Sequence, residues 1–335
     1  MNRKDLYDFT VSTLSMAAQL ALSVQKRMIT PTTVEKNDKS PVTVGDLAIQ
    51  ALVSCRLAQF FPSDQLVGEE SSSVFEGEAG TILLNQVCEF VCQQIPNATP
   101  EQVKAWIDRG AAQGHADRYW VLDPIDGTKG FLRRQQYATA LALIEKNPET
   151  GSRDVVFGGL GCPHLTDGWK DEVGGPGSIL VAEKGSGAFV LQIDGTNPRK
   201  IAVSNVSDPI QARILRSVEA AHTNTGHLGQ IVETLQTSAD PVLMDSQAKY
   251  ACLATGHAEV LLRLISSKMP NYKEKIWDQA AGLIVLQEAG GRITDLDGKP
   301  LDFNFGRALE TNRGVCASNG QLHDKVLAAI KRVGA

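Results

Sequence analysis

No Cys-x-x-Cys pair occurs anywhere in the chain, and its six cysteines (Cys55, Cys88, Cys92, Cys162, Cys252 and Cys316) are scattered. Cys88 and Cys92, the closest two, stand one helical turn apart with no matching His or Cys pair, which speaks against a zinc site. Four of the six sit inside apolar segments, so they read as reduced core thiols, not as a disulfide framework. No uninterrupted apolar run approaches the ~18 residues of a membrane span. No Lys/Arg-rich block stands out from 33 basic and 38 acidic residues (net charge −5), so the electrostatic footprint of a nucleic-acid binder is missing. Internal repeats and low-complexity tracts are absent too. Residues 1–28 carry Asp5, Asp8, Gln19 and Gln25 inside an amphipathic pattern, unlike a secretory signal. These absences leave a soluble, cytoplasmic chain as the expectation, with neither a nucleic-acid polymer nor a membrane as partner; a monomer is expected separately from them.

What is present is enough apolar material for a real core: 42% of 335 residues are hydrophobic and 21% charged, a length that suggests two lobes. The expected division is 1–160 and 161–335, with the boundary near 158–163. Leu14, Ala17, Leu20, Val24 and Met28 recur at helical spacing and predict a helix over 4–27. Thr43 can cap a second helix running to about Phe60, with Asp46 in its first turn, and a third is expected over 81–94. A loop-rich stretch follows. Residues 119–122 then form an apolar strand ending in Asp123, with further strands over 137–144 and 155–160 joined by a hairpin at 147–151. Later strand patterns fall at 179–182, 188–193, 214–218 and 260–264. Helices are expected over 246–254 with Ser246 as cap, over 276–289 ending at Gly290-Gly291, and over 322–333. The second half is therefore α/β.

The chemistry concentrates in Asp123-Pro124-Ile125-Asp126-Gly127-Thr128. Proline fixes one backbone angle and glycine permits a tight turn, so two carboxylates three residues apart can face one point, with the Ile125 carbonyl beside them. Hard divalent cations take oxygen ligands of this kind, and magnesium takes one or two carboxylates plus water and phosphate. Taken alone, the hexapeptide could also be a solvated turn, Glu69-Glu70 a surface turn, and Asp278 and Asp46 ordinary helix-start acids. Their combination matters more, because a two-metal phosphoryl-transfer site draws carboxylates from several elements.

The runs Val67-Gly68-Glu69-Glu70-Ser71, WVLDPIDGTKGF at 120–131, and Trp277-Asp278-Gln279-Ala280-Ala281-Gly282 resemble the signature segments of the lithium-sensitive, magnesium-dependent inositol monophosphatase superfamily. Within it, Lys36-Asn37-Asp38 through Ser40-Pro41-Val42-Thr43, Gly127-Thr128-Lys129-Gly130-Phe131-Leu132-Arg133 and Asp245-Ser246-Gln247-Ala248-Lys249-Tyr250 resemble the 3′(2′),5′-bisphosphate nucleotidases. The similarity spans nearly the whole chain.

This resemblance implies a layered αβαβα sandwich, an α+β or α/β fold of the sugar-phosphatase type. It implies that Glu69, Asp123, the Ile125 carbonyl, Asp126 and Asp278 ligate two or three magnesium ions, and that Asp46 and Thr128 orient and deprotonate the attacking water. Gly127, Thr128, His222, Ser246, Lys249, Arg263 and Asp278 would contact the substrate, a bisphosphate nucleotide. Arg263 ends an apolar strand, where its planar fork can meet a second phosphate. The implied reaction removes the 3′-phosphate of 3′-phosphoadenosine 5′-phosphate to give AMP, with the sulfated nucleotide as a candidate second substrate and lithium as inhibitor. The alternatives are an inositol polyphosphate 1-phosphatase or monophosphatase, and a non-catalytic metal-binding protein. The chain departs from the family's pattern at Arg134, at Ala220-Ala221-His222-Thr223, and in a lengthened segment at 266–273.

Overall fold

The computed structural model describes residues 3–27, 33–35, 41–217, 225–266 and 268–335. Helix α1 (Arg3–Arg27) buries Phe9, Leu14, Ala17, Leu20 and Val24, the stripe its spacing predicts. A short antiparallel pair, β1 (Thr33–Glu35) with β2 (Pro41–Thr43), leads into α2 (Val44–Phe60). A capping box starts α2: Thr43 accepts from the Gly45 and Asp46 amides, and Asp46 accepts from the Thr43 amide. Pro62 disfavours helical backbone at Phe61, so α2 ends there.

After β3 (Gln65–Gly68) come α3 (Gly77–Val91) and α4 (Pro100–Asp108), both packed on α2. The sequence suggests a loop-rich stretch here, yet Thr99 and Gln102 form a second capping box and Pro100 occupies the first helical turn. The chain continues through β4 (Arg118–Asp126), α5 (Thr128–Leu132), β5 (Ala138–Lys146), β6 (Arg153–Cys162), a small hairpin of β7 (Leu165–Thr166) and β8 (Lys170–Asp171), β9 (Ser178–Glu183), β10 (Gly187–Gln192) and β11 (Arg199–Ile201). Strands 11-10-9-6-5-4-3 form a seven-stranded sheet, antiparallel except for β3 beside β4.

The last third supplies β12 (Ile214–Arg216), α6 (Thr225–Leu235), β13 (Val242–Leu243), α7 (Ala248–Ala254), β14 (Val260–Arg263), α8 (Ala280–Glu288), β15 (Arg292–Thr294), β16 (Val315–Ser318) and α9 (His323–Val333). Strands 13-12-14-16-15 make a second sheet.

Alternation along the strands stacks these layers. In β6 a Cβ on Gly158 would lie 2.9 Å from Ile284 of α8, and one on Gly159 would lie 2.9 Å from Leu14 of α1. Neighbouring residues face opposite sides of a strand, so α1 and α8 cover opposite faces, and the missing side chains let both approach closely. In the second sheet Leu215 and Leu261 join the cluster of α7 and α8, while Ile214, Val260 and Leu262 pack with Leu228, Ile231, Val326 and Ile330 of α6 and α9. The order is helix, sheet, helix, sheet, helix, as the resemblance implies.

Two expectations change. The boundary at 160/161 falls inside β6, whose hydrogen bonds to β9 run across it, and the first sheet continues to Ile201 before the second begins at Ile214. The helix expected from 276 starts at Ala280, because residues 276–279 turn and the Trp277 carbonyl is taken by a side chain. None of the six cysteines is paired; Cys55, Cys162, Cys252 and Cys316 are buried. Among the described residues no helix is long and apolar enough to cross a membrane.

Candidate active site

The acidic hexapeptide ends β4 at the point where its pairing with β5 slips: Asp123 faces Ala140, but Asp126 faces Ala138. Three steps on one strand against two on the other make a bulge, which redirects the chain while Thr139 holds the Pro124 carbonyl at 2.8 Å. Gly127 then takes φ +88°, open to glycine at little cost, and a Cβ there would lie 2.8 Å from the Ser246 Cβ. Helix α5 starts at once, and the Thr128 hydroxyl donates back to the Ile125 carbonyl at 3.2 Å.

Other elements converge on this turn. A Cβ on Gly45 would lie 2.7 Å from Ile125 Cδ1, so the first turn of α2, carrying Asp46, packs against the motif. Asp46 is buried, and its Oδ2 accepts from the Thr43 amide at 2.8 Å and the Thr43 hydroxyl at 2.5 Å. Glu69 is placed by its amide, which donates to the Leu122 carbonyl at 3.2 Å beside Asp123. Two side chains that the sequence reading passed over fix its loop. Buried Gln50 donates to the Glu70 and Ile107 carbonyls at 2.8 Å and accepts from the Glu70 amide at 3.0 Å. Arg307 donates to the Gly68, Gly110 and Ala112 carbonyls and stacks over Trp277, 4.7 Å from the ring centroid.

From the second half, Gln247 closes the site. Its amide donates to Asp126 Oδ2 at 2.6 Å, its Nε2 to the Trp277 carbonyl at 2.9 Å, and its Oε1 accepts from the Gly282 amide at 3.0 Å. One buried glutamine thus joins the Asp126 loop, the Asp278 turn and α8. Ser246 is strained, at φ +61°, and its hydroxyl accepts from the Ala248 amide at 3.1 Å; the cap position itself is Gln247, with no side-chain cap bond.

Electrostatics show how close the carboxylates stand. Burial first, then Glu69, Asp126, Asp278 and Asp46, push Asp123 well above the usual carboxylate range. Burial likewise raises Asp126, against the pull of Arg263, Lys249 and the Gln247 amide. Asp278 is raised well above its ordinary value by burial, Asp126, Glu274 and Glu69, with Arg263 opposing. Asp123 Oδ1 is buried without any hydrogen-bond partner. Unpaired buried oxygen among repelling carboxylates is costly unless a cation joins them.

Among the described residues, no group of three His, Cys, Asp or Glu side chains is arranged to hold a metal ion by itself. A divalent ion here would complete its shell with main-chain, water and phosphate oxygens, which is magnesium's habit. The donor set, all hard oxygen, fits that ion.

A family model described as the inositol monophosphatase family matches residues 3–335. The chain belongs to that family. Curated relatives named 3′(2′),5′-bisphosphate nucleotidase include one from Oryza sativa, 39% identical, covering 95% of this chain and 91% of the relative. Another, from Schizosaccharomyces pombe, is 39% identical and covers 89% and 86%. Among solved structures, a Thermotoga maritima IMPase superposes with TM-score 0.64 at 22% identity, covering 98% and 97% of the two chains, and an Anabaena inositol monophosphatase with TM-score 0.61 at 18% identity, covering 99% and 97%. These structures share the fold.

In this member of the inositol monophosphatase family, two cations border the carboxylates. Lys249, 7% exposed, donates to the Ser217 hydroxyl at 3.0 Å, and burial with Arg263 nearby pushes its ammonium down to about 8. Arg263 Nε pairs with Glu274 Oε2 at 2.8 Å, and its Nη2 lies 4.0 Å from Asp278 Oδ2. Asp278 lies in the turn before α8, not in the helix's first turn. His222 lies outside the described residues. The sequence reading missed Glu274, Gln50, Gln247 as a brace, and Arg307. Only Gln247 carried a signal, lying between the singled-out Ser246 and Lys249.

Proposed function

We propose that this chain is a magnesium-dependent 3′(2′),5′-bisphosphate nucleotidase that removes the 3′-phosphate of 3′-phosphoadenosine 5′-phosphate, leaving AMP. The observation that carries the substrate is the pair Lys249 and Arg263, two cations set beside a phosphatase-type carboxylate cluster. An inositol monophosphate offers only the phosphate that the carboxylate side handles. A bisphosphate nucleotide brings a second, for which a planar guanidinium and a buried ammonium are apt partners. The resemblance to relatives named for this activity supports the same substrate.

Glu69, Asp123, the Ile125 carbonyl, Asp126 and Asp278 would hold the magnesium. Bound there, it supplies Lewis acidity, lowers the pKa of its water and neutralises phosphate charge. The chain's own residues do the rest. The Thr128 hydroxyl, now on the Ile125 carbonyl, is a rotor that can accept from the attacking water while handing its own proton to Asp46. The capping box keeps Asp46 in one orientation for that task. Hydrolysis forms one bond from the water oxygen to phosphorus and breaks the bond to the ribose 3′-oxygen, which leaves with a proton. Gly127, Thr128, His222, Ser246, Lys249 and Arg263 would seat the nucleotide. Lithium is expected to inhibit by competing for the cation site.

The test is a phosphate-release assay on 3′-phosphoadenosine 5′-phosphate, inositol 1-phosphate and inositol 1,4-bisphosphate, with magnesium and with excess chelator. Fast release from the nucleotide with magnesium alone is expected. Preference for either inositol phosphate would sink the substrate reading, and undiminished turnover in chelator would sink the metal mechanism.

A further inference from the structure

Glu274 has no part in the chemistry above, yet it is 6% exposed and faces the site. Its Oε2 forms an ion pair with Arg263, 2.8 Å from Nε, and accepts from Gln279 Nε2 at 2.8 Å. Gln279, fully buried, in turn accepts at Oε1 from the Tyr250 hydroxyl at 2.5 Å, and Tyr250 is itself buried against α8. An ion pair and two hydrogen bonds thus link Arg263 through Glu274 and Gln279 to Tyr250, anchoring the arginine to α7 and the start of α8. The backbone carbonyl of Glu274 is also pinned, by the Leu309 amide at 2.9 Å, while Gln279 holds the carboxylate.

The geometry poses a conflict. Arg263 Nη2 stands 4.0 Å from Asp278 Oδ2, just short of a close ion pair. A guanidinium that closed this gap would neutralise Asp278 and compete with a cation for its oxygen. The same movement would turn the terminal nitrogens away from a bound phosphate. Only the Nε edge of Arg263 is spoken for by Glu274, and that leaves the Nη fork for another acceptor.

We propose that Glu274 is a positioning residue: by holding the Nε edge of Arg263 it keeps the guanidinium off Asp278, leaving Asp278 to the metal and the Nη fork to the substrate's second phosphate. This rests on the roles given above to Arg263 and Asp278. It makes metal affinity and preference for a second phosphate depend on one carboxylate that touches neither ligand.

The experiment compares wild type, Glu274→Gln, Arg263→Ala and the double variant by two calorimetric titrations, magnesium chloride into substrate-free protein and AMP into the magnesium-loaded protein. Thermal melting of each variant checks that it folds. Glu274→Gln keeps the shape but loses the charge; it is expected to weaken magnesium at least tenfold, as Arg263 swings to Asp278, and to weaken AMP by a similar factor. Arg263→Ala alone should weaken AMP and leave magnesium as tight as in wild type or tighter. The double variant should recover the magnesium affinity, because nothing then competes for Asp278, while AMP stays weak. A merely structural role for Glu274 would leave magnesium binding weak in the double variant, and that outcome overturns the proposal. Wild-type affinities in Glu274→Gln overturn it as well while leaving the nucleotidase reading intact. Unchanged AMP affinity in Arg263→Ala instead removes Arg263 from the second phosphate and takes both readings down.

Discussion

Asp123 and Asp295 are both aspartates in the interior, 2% and 0% exposed, and they are built in opposite ways. Asp295 accepts from four donors: the Asp297 and Lys299 amides at 2.9 Å, Asn312 Nδ2 at 3.2 Å and the Arg313 amide at 3.3 Å. Its charge is fully answered by the chain, and it holds the turn between β15 and β16. Asp123 has an oxygen with no partner and carboxylates for neighbours. The chain answers the first charge and leaves the second to something it does not contain. A satisfied buried carboxylate is scaffold; an unsatisfied one in a crowd of its own sign is a site.

The largest expected effect lies on the unsatisfied side. Asp126→Ala should cut turnover by at least ~10³-fold, about 4 kcal/mol of transition-state stabilisation, with the far-ultraviolet circular dichroism unchanged. Near-normal phosphate release would place Asp126 outside the working cluster.

Stability should then separate the two aspartates by sign. Asp295→Ala strands four donors and should cost about 3 kcal/mol in urea unfolding. Asp123→Asn removes a repelling charge and should stabilise the metal-free protein by about 1 kcal/mol. It should also abolish the gain of about 2.7 kcal/mol that wild type shows at magnesium a hundredfold above its Kd. If Asp123→Asn destabilises the metal-free protein as Asp295→Ala does, the contrast between the two interiors collapses.

The smallest effect tests a satisfied group that titrates. His323 is buried between the Thr294 and Ser318 hydroxyls, each 2.9 Å from a ring nitrogen. Burial, then Arg292, push it down from its ordinary 6.5 to about 4. The unfolded chain therefore takes up the proton first, so the stability His323 contributes is whole above about 6.5 and drains away as pH falls towards about 4. His323→Gln should show a shallower loss of urea midpoint between pH 7 and pH 4.5 than wild type; parallel curves would mean that this histidine titrates normally.

Legibility followed sequence distance. Thr43 and Asp46 were readable as cap and first-turn acid because the capping box spans three residues. The strand ending at Asp123 and the turn at Gly127 were readable because proline, glycine and an apolar run are local signals. Helix α4 carries the same local signal, a Thr99/Gln102 capping box, within the stretch whose composition suggests a loop. Strands β15 and β16 were not foreseen, being short and paired across twenty-odd intervening residues. Glu274 had no signal at all, since its partners Arg263 and Gln279 lie on either side of a loop and meet only in space.

The sequence by itself determined the acidic turn, its capping helix and the family's chemistry, because each rests on residues within a few bonds of one another or on motifs kept in order. Only the tertiary structure decided that Gln247 braces Asp126 to the Asp278 turn, that Arg307 pins the Glu69 loop, and that Arg263 is held back from Asp278. Those contacts join residues 11 to 239 positions apart, and what brings them together is the burial of two sheets against the helices between them.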